Sequence, residues 1–332
     1  MMDLAQAKIM HERGQIEEAM QAYNELLNKD FDAIDVLFYY GTALFQNGNW
    51  GLAATVLKRV IEIRPTMQSA YQNLGNCFKA KLDYKAATEI YQMGLALGDE
   101  SQLFCCMGSM NINMGTPEEA LKWYSKGLAL DPSNDVIRYN MGLAYLELGQ
   151  WENGFDYYDK GFVAGNRGSR TYGSLPKWNG ESDKTVIVWG EQGLGDEIMF
   201  SSIIPDLQKI SKRVIFDCHP RLVDTFSRSF DIECHGTRKN HHLEWLPKSD
   251  AECHVSVTTL AKHFRKKDSD FPGVPYLKSD EKKVRKHLKS GKLRVGVSWE
   301  GGIHQNRSDL RSIPLPMLEP LLEDLDVDFF SL

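Results

Sequence analysis

The sequence predicts a multidomain α + α/β protein in which a helical repeat array precedes an α/β region. Small residues recur with a period close to 34 across the first half of the chain. From residue 185 onward, apolar β-branched segments instead alternate with segments of helical period. The first of these segments leads into a glycine-rich turn, GEQGLGD. We expect the array to span residues 1–165, a connector 166–184 and the α/β region the remainder.

The repeat is visible in several registers of the sequence. Small residues at Ala19, Ala53, Ala87, Ala120 and Gly154 are spaced by 34, 34, 33 and 34 residues. The same period relates a second set of small residues, at Ala7, Gly41, Gly75, Gly108 and Gly142. It also relates a set of bulky residues, at Tyr23, Leu57, Tyr91, Tyr124 and Tyr158. Glycines recur at the turn positions Gly14, Gly48, Gly115 and Gly149, and Leu82 replaces glycine at the remaining one. A 34-residue period with small residues between paired helices is typical of the tetratricopeptide repeat (TPR). We therefore expect about five repeats forming an α-solenoid.

The concave groove of such a solenoid is a candidate site for a protein or peptide partner. Its candidate residues are Phe38, Asn73, Tyr139 and Asn140. The two asparagines occupy the sixth position of the third and fifth repeats. They resemble the asparagines that clamp peptide backbone in the TPR superhelix of protein O-GlcNAc transferases. The alternative is that both asparagines face solvent, since the other three repeats lack them.

Composition and charge exclude several classes of function. The net charge of −6 argues against a protein that binds nucleic acid by bulk phosphate neutralisation. The N-terminus has no apolar signal core, and no run reaches the length of a membrane span, so we expect a cytoplasmic protein without a transmembrane segment. The six cysteines form no CxxC motif and are interpreted as reduced thiols. Three Cys-His dipeptides do not favour a metal site, because neighbours on a strand face opposite ways. We expect no cofactor.

The α/β region divides into two units, 185–290 and 291–332. In the first, strands alternate with helices, which predicts a parallel, doubly wound sheet. Pro205 lies inside a helical stretch and would cost about 3 kcal/mol there, so the helix is expected to restart with Pro205 in its first turn. The second unit holds two strands, Leu293–Trp299 and Val327–Leu332, around one helix. Such a piece cannot cover both faces of its own sheet, so we expect this domain to be incomplete.

Four motifs occur in a fixed order: WNGE from Trp178, WGEQGLGDEIMFSSIIPDL from Trp189, PYL from Pro275, and VGVSWEGG…RSIPL from Val295. This set resembles the bacterial TPR-linked glycosyltransferase-like family, whose domain is similar to that of ADP-heptose:lipopolysaccharide heptosyltransferases. The resemblance implies a GT-B fold with two Rossmann-like domains. Residues 185–290 would be the acceptor-side domain, and residues 291–332 the truncated start of the nucleotide-sugar domain.

The resemblance also implies roles for individual residues. Asp196 would be the base that deprotonates an acceptor hydroxyl; the alternative is a helix N-cap, worth about 1 kcal/mol. Acceptor binding would fall to the neighbouring turn residues Glu191, Gln192, Gly193 and Gly195. Glu191 and Gln192 could instead be solvated, and the two glycines are expected to adopt positive φ. The donor diphosphate would contact Ser298, His304, Arg307 and Arg311. Alternatively, the two arginines pair with surface acids such as Asp309 or Glu300.

Two functions follow from these observations. The first is an inverting, metal-independent transfer of a sugar from a nucleotide-sugar to an unknown acceptor, with the TPR groove binding a partner or the acceptor. The alternative is a non-catalytic TPR adaptor that carries a truncated glycosyltransferase-like domain. The sequence does not identify the sugar, the nucleotide or the acceptor.

Overall fold

The computed structural model describes residues 3–191, 193–237, 243–284, 293–298, 312–322 and 327–331. The chain forms two compact units, residues 1–276 and 277–332. The first unit opens with ten helices: α1 Leu4–Glu12, α2 Ile16–Leu27, α3 Ile34–Gln46, α4 Trp50–Ile63, α5 Gln68–Ala80, α6 Tyr84–Leu95, α7 Ser101–Asn113, α8 Pro117–Leu130, α9 Asp135–Glu147 and α10 Trp151–Tyr158. A short 3-10 helix, Asp159–Phe162, follows α10.

Close contact between a glycine and a bulky side chain joins the two helices of each central repeat. A Cβ on Gly75 of α5 would lie 2.3 Å from Cε1 of Tyr91 on α6, and Gly108 of α7 has the same relation to Tyr124 of α8. Both tyrosines are fully buried. The small and bulky registers of the sequence are therefore two sides of one packing contact, repeated along the array.

Replacing Gly108 with alanine is expected to lower the free energy of unfolding by about 1–2 kcal/mol. Overpacking against the buried ring of Tyr124 costs about 1–3 kcal/mol, and the better helix propensity of alanine returns up to about 1 kcal/mol. Urea denaturation followed by circular dichroism measures the difference. The matched control is Gly51→Ala in α4, where an added Cβ meets nothing within 4 Å. A Gly108→Ala variant as stable as this control would contradict the packing contact.

Positive φ at one position ends the first helix of every repeat. Gly48 and Gly115 have φ values of 81° and 71°, and Leu82 adopts 62° at the equivalent place. A left-handed conformation costs a non-glycine residue about 1–2 kcal/mol. Leu82 therefore completes the turn with its side chain exposed and its backbone strained.

A four-stranded parallel sheet follows the array in the first unit, in the order β3-β2-β1-β4. All five residues of β1 are buried, as expected for a strand covered on both faces. The elements are β1 Thr185–Trp189, α11 Leu194–Phe200, α12 Ile204–Ile210, β2 Arg213–Asp217, α13 Val223–Phe230, β3 Glu233–His235, β4 Cys253–Ser256 and α14 Leu260–Phe264. A 3-10 turn separates α11 from α12, and Pro205 lies in the first turn of α12. The predicted restart of this helix is confirmed.

The connector packs on the sheet. Trp178 is buried, and its backbone N–H donates to the carbonyl of His254 at 2.8 Å. Leu175 packs against a cluster that includes Tyr172 and Trp189. Two apolar side chains of the connector, Trp178 and Leu175, therefore pack on the α/β domain that follows it.

The second unit contains α15 Glu281–Val284, β5 Leu293–Val297, α16 Leu315–Leu322 and β6 Val327–Ser331. Strands β5 and β6 pair in parallel with Leu293 opposite Val327. None of the described helices is both long and apolar enough to cross a membrane. The structure thus combines a helical array with a small four-stranded parallel sheet in the first unit and a two-stranded parallel sheet in the second. A complete two-domain GT-B architecture stays a prediction.

Candidate functional site

The candidate site is the carboxyl edge of the four-stranded sheet. Strands β2 and β3 lie on one side of β1, and β4 lies on the other. The strand order therefore reverses at β1: β2 and β3 are added on one side of it, and β4 is added on the other. Open α/β sheets bind ligands at such a switch point, outside the carboxyl ends of their strands. The three strand ends that meet here carry Trp189, Asp217 and Ser256.

Asp196 lies in the first turn of α11, directly beyond β1. Its Oδ2 atom accepts a hydrogen bond from the backbone N–H of Gly193 at 3.0 Å. The N-cap residue of α11 is Gly193, and Asp196 is the third residue of the helix. Asp196 is therefore not the N-cap; its carboxylate accepts from the backbone N–H of the N-cap residue, as in a capping box. The side chain is partly exposed. Its Oδ1 atom has no hydrogen-bond partner among the described residues and can accept a proton.

The glycines of this turn act differently from expectation. The prediction of positive φ is wrong, because Gly193 has a φ of −92° and Gly195 is not among the described residues with positive φ. An N-cap adopts extended backbone, which explains Gly193. Close approach is instead required at Gly190, where a Cβ would lie 2.1 Å from Cδ of Glu197.

Glu197 is a buried carboxyl group beneath the turn. Its Oε2 atom accepts from the backbone N–H of His219 at 2.7 Å. Burial raises the pKa of Glu197, and the nearby carboxylates of Asp217 and Asp196 act in the same direction. Glu197 therefore ties the β1–α11 turn to the end of β2.

Glu191 is engaged by the chain itself at the switch point. Its carboxylate accepts from Nε and Nη2 of Arg167 at 2.8 and 2.6 Å. The hydroxyl groups of Ser256, the last residue of β4, and of Thr258, two residues further on, also donate to Oε1 of Glu191. The side chains of Arg167 and Glu191 are 0% and 1% exposed. Glu191 is therefore not solvated: its carboxylate faces a buried guanidinium, and acceptor binding at Glu191 stays a prediction.

Arg167 also binds the end of the helical array. Its Nη1 atom donates to the carbonyl of Tyr158 at 3.1 Å and lies 3.3 Å from Oδ1 of Asp159. Its guanidinium carbon lies 3.8 Å from the ring centroid of Phe162. One buried side chain therefore links the last TPR helix to β1 and β4.

A second buried acid, Asp217, ends β2. It accepts from Nη1 of Arg170 at 3.0 Å, from the Tyr172 hydroxyl at 2.7 Å and from the backbone N–H of Thr237 at 3.0 Å. Burial raises the pKa of Tyr172, and the negative charge of Asp217 raises it further. The connector therefore covers this strand end as well.

The groove candidates lie on the first helices of their repeats and contact neighbouring helices. Asn73 Nδ2 donates to the Thr42 hydroxyl at 3.0 Å, and Asn140 Nδ2 lies 3.4 Å from Sγ of Cys105. Each bond joins one repeat to the preceding one. The ring of Tyr139 lies 5.4 Å from that of Tyr158, and the ring of Phe38 lies 5.5 Å from that of Tyr39. All four candidates are half-buried, so peptide binding at these residues stays a prediction.

The donor-side candidates fall largely beyond the reach of the structure. His304, Arg307 and Arg311 lie outside the described residues, and so does the acceptor-side candidate Gln192. Ser298 follows β5 and is exposed. Within the described ranges, no three His, Cys, Asp or Glu side chains group closely enough to hold a metal ion.

Three buried charged residues of this edge were not predicted from the sequence: Arg167, Asp217 and Glu197. An acid directly after an apolar strand, as in VIFD, could have indicated Asp217. Arg167 lies in a polar connector, where nothing in the local pattern distinguishes a buried arginine from a solvated one.

Family models match two segments of the chain. Residues 35–66 match a model described as "Tetratricopeptide repeat", and residues 113–149 match one described as "TPR repeat". Both segments lie within the ten-helix region. The prediction of TPR repeats is therefore confirmed.

Known proteins resemble parts of this chain. The TPR repeat-containing protein YpiA of Bacillus subtilis is 27% identical over 127 residues, which cover 38% of this chain and 30% of that protein. The probable UDP-N-acetylglucosamine–peptide N-acetylglucosaminyltransferase SPINDLY of Hordeum vulgare is 27% identical over 165 residues, covering 47% and 18%. A crystal structure of MamA is 23% identical, covers 50% of this chain and 96% of that chain, and has a TM-score of 0.40. The chain spans less than a third of the length of the first curated relatives it matches.

Proposed function

We propose that this chain transfers a sugar from a nucleotide-sugar to a hydroxyl group of an acceptor, and that its TPR array helps to select that acceptor. The observation that carries the proposal is the position of Asp196. A partly exposed carboxylate in the first turn of a helix, at the carboxyl edge of a parallel sheet, lies where such sheets act on ligands. The ordered motifs around it are those of the glycosyltransferase-like family it resembles.

The proposed chemistry is a single inverting displacement. Oδ1 of Asp196 removes the proton of the acceptor hydroxyl, and the acceptor oxygen attacks the anomeric carbon of the donor. The bond between that carbon and the diphosphate oxygen breaks, and the nucleoside diphosphate leaves with the bonding electrons. The hydrogen bond from Gly193 to Oδ2 holds the carboxylate in place during the transfer.

The donor side of the proposal belongs to the second unit. We propose that β5, α16 and β6 open the domain that binds the nucleotide-sugar. Ser298, His304, Arg307 and Arg311 would contact its diphosphate, where arginine supplies forked hydrogen-bond donors. The transfer itself would need no metal ion or cofactor.

We also propose that the reaction takes place in the cytoplasm. All six cysteines are free thiols, and five of them are buried. Reduced thiols are the usual state in that compartment.

Donor binding is the first test. A nucleotide-sugar at a hundredfold excess over its Kd should stabilise the protein by about 2.7 kcal/mol, which raises Tm by several degrees. Thermal unfolding is measured on the product of the complete natural reading frame with ADP-, UDP-, GDP- and CDP-linked sugars. The free sugars serve as controls. If none of the four donor classes raises Tm above its control, sugar transfer is rejected.

A second candidate is a non-catalytic TPR adaptor, which the buried Arg167–Glu191 pair favours. The chain itself occupies the switch point of the sheet, as in a domain that serves as a rigid docking body. The adaptor predicts no donor-dependent stabilisation and a partner bound through the groove alone. Photo-crosslinking from position 73 on the first helix of a repeat, compared with exposed position 55 on a second helix, distinguishes the groove from the outer surface. Equal crosslinking from both positions would count against the adaptor.

A further inference from the structure

A cavity of about 210 Å³ lies where the end of the helical array, the connector and strands β1 and β4 meet. It is next to the carboxyl edge but does not include Asp196. Three aromatic rings and three basic side chains contribute to its lining: Phe162, Trp178, Trp189, Arg170, Lys177 and His254. Trp178 and Trp189 are buried, so the aromatic walls are fixed in place.

His254 presents a hydrogen-bond donor that lacks a partner. Nε1 of Trp189 lies 3.1 Å from Nδ1 of His254. Because an indole N–H can only donate, Nδ1 accepts and the neutral imidazole carries its proton on Nε2. The residue is 5% exposed, and its Nε2 atom has no hydrogen-bond partner among the described residues. Burial and the charge of Lys177 lower the pKa of His254, which keeps this ring neutral.

The charges around the cavity are unbalanced in favour of cations. Asp159, the one acid among the described residues of the lining, is held by Arg167 and by the Thr259 hydroxyl at 2.9 Å. Arg170 is paired with Asp217. Lys177, by contrast, forms no ion pair within the described part of the chain, and its Nζ atom lies 5.9 Å from the ring centroid of Phe162. Among the ionisable side chains of the lining, the groups left to bind a ligand are thus the ammonium of Lys177 and the Nε2–H of His254, and both are donors.

We propose that this cavity binds a small ring-shaped molecule that carries a carboxylate. The ring packs between the aromatic walls, and the carboxylate accepts from Lys177 and His254. The volume is sufficient, because an apolar cavity of about 150 Å³ holds benzene, which leaves room here for the carboxylate. The proposal does not depend on sugar transfer.

Three ring carboxylates and their neutral carboxamides test the ligand class: benzoate, phenylacetate and cyclohexanecarboxylate. Nitrogen-15 NMR of the tryptophan indole groups reports binding, with Trp178 and Trp189 assigned by single substitution to phenylalanine. At least one carboxylate should shift these two resonances saturably and bind at least roughly tenfold more tightly than its amide. If no carboxylate binds, or if every amide binds as tightly as its acid, the proposal is overturned.

The position of the charge is tested by Lys177→Met, which keeps the apolar stem and removes the ammonium. Carboxylate affinity should fall roughly tenfold, while affinity for the amide should not change. Lys184→Met is the matched control, because Lys184 is an exposed lysine near the end of the connector and pairs with Glu252 outside the cavity. An equal loss in both variants, or no loss in Lys177→Met, would contradict the assignment. The comparison of acids with amides in the unmodified protein stands independently of both variants.

Discussion

Replacing Arg167 with methionine is expected to lower the free energy of unfolding by roughly 3–5 kcal/mol. The substitution leaves the carboxylate of Glu191 buried without a counter-charge, and removing one partner of a buried pair costs about this much. The same change removes the hydrogen bond to Tyr158, which joins the helical array to the sheet. Urea denaturation of the single variant measures the effect.

Two further variants separate a buried charge from a general loss of packing. The double variant Arg167→Met/Glu191→Met should recover most of the loss, because apolar side chains often replace a buried pair at little cost. Arg59→Met removes an ion pair with Asp32 whose side chains are 47% and 37% exposed, so its effect should stay below about 1 kcal/mol. If Arg167→Met costs no more than Arg59→Met, the pair does not hold the two parts together.

The helical array could be predicted from the sequence because its stabilising contacts are local. Gly75 meets Tyr91, and Gly108 meets Tyr124, at the same short separation within a repeat. The period of the sequence therefore maps directly onto the period of the packing. Leu82 adopts the same positive φ as the glycines at the equivalent turn positions, because the turn imposes this backbone conformation on whichever residue occupies it.

The order of strands and helices in the α/β region could also be predicted, because alternating apolar periods identify the type of each element. Pro205 marked the restart of a helix for a steric reason that depends on one residue. The sequence could not predict which charged side chains pair across the carboxyl edge. Arg167 meets Glu191 only because the connector folds back over the sheet, and that path depends on tertiary packing.

The sequence indicated where the candidate site lies in the fold, but it did not indicate which side chains contact one another there. Asp196 does lie at a helix N-terminus beyond the first strand, as the glycine turn indicated. Glu191, by contrast, is covered by a residue from a segment that reads as an ordinary polar connector. Sequence periodicity reports burial in regular elements, whereas this burial arises from one irregular segment.

Replacing Asp196 with asparagine is expected to lower the rate of sugar transfer by about a hundredfold to ten-thousandfold, the usual contribution of a general base. The amide cannot remove a proton, but its carbonyl oxygen can still accept from Gly193. Only the negative charge in the first turn of the helix is lost, so the free energy of unfolding should fall by no more than about 1 kcal/mol. Asp224→Asn, an exposed acid in the first turn of α13, is the matched control. Its transfer rate should equal that of the unmodified protein. Comparable transfer by Asp196→Asn would remove Asp196 from the role of base.

The most direct measurement is the release of nucleoside diphosphate from ADP-, UDP-, GDP- and CDP-linked sugars in the presence of a cell extract that supplies acceptors. The product of the complete reading frame is compared with its Asp196→Asn variant in an extract depleted of its own transferases. Sugar transfer predicts that one donor class yields diphosphate with the unmodified protein and at least a hundredfold less with the variant. Release at the same rate by both proteins, or from none of the four donors, would contradict it.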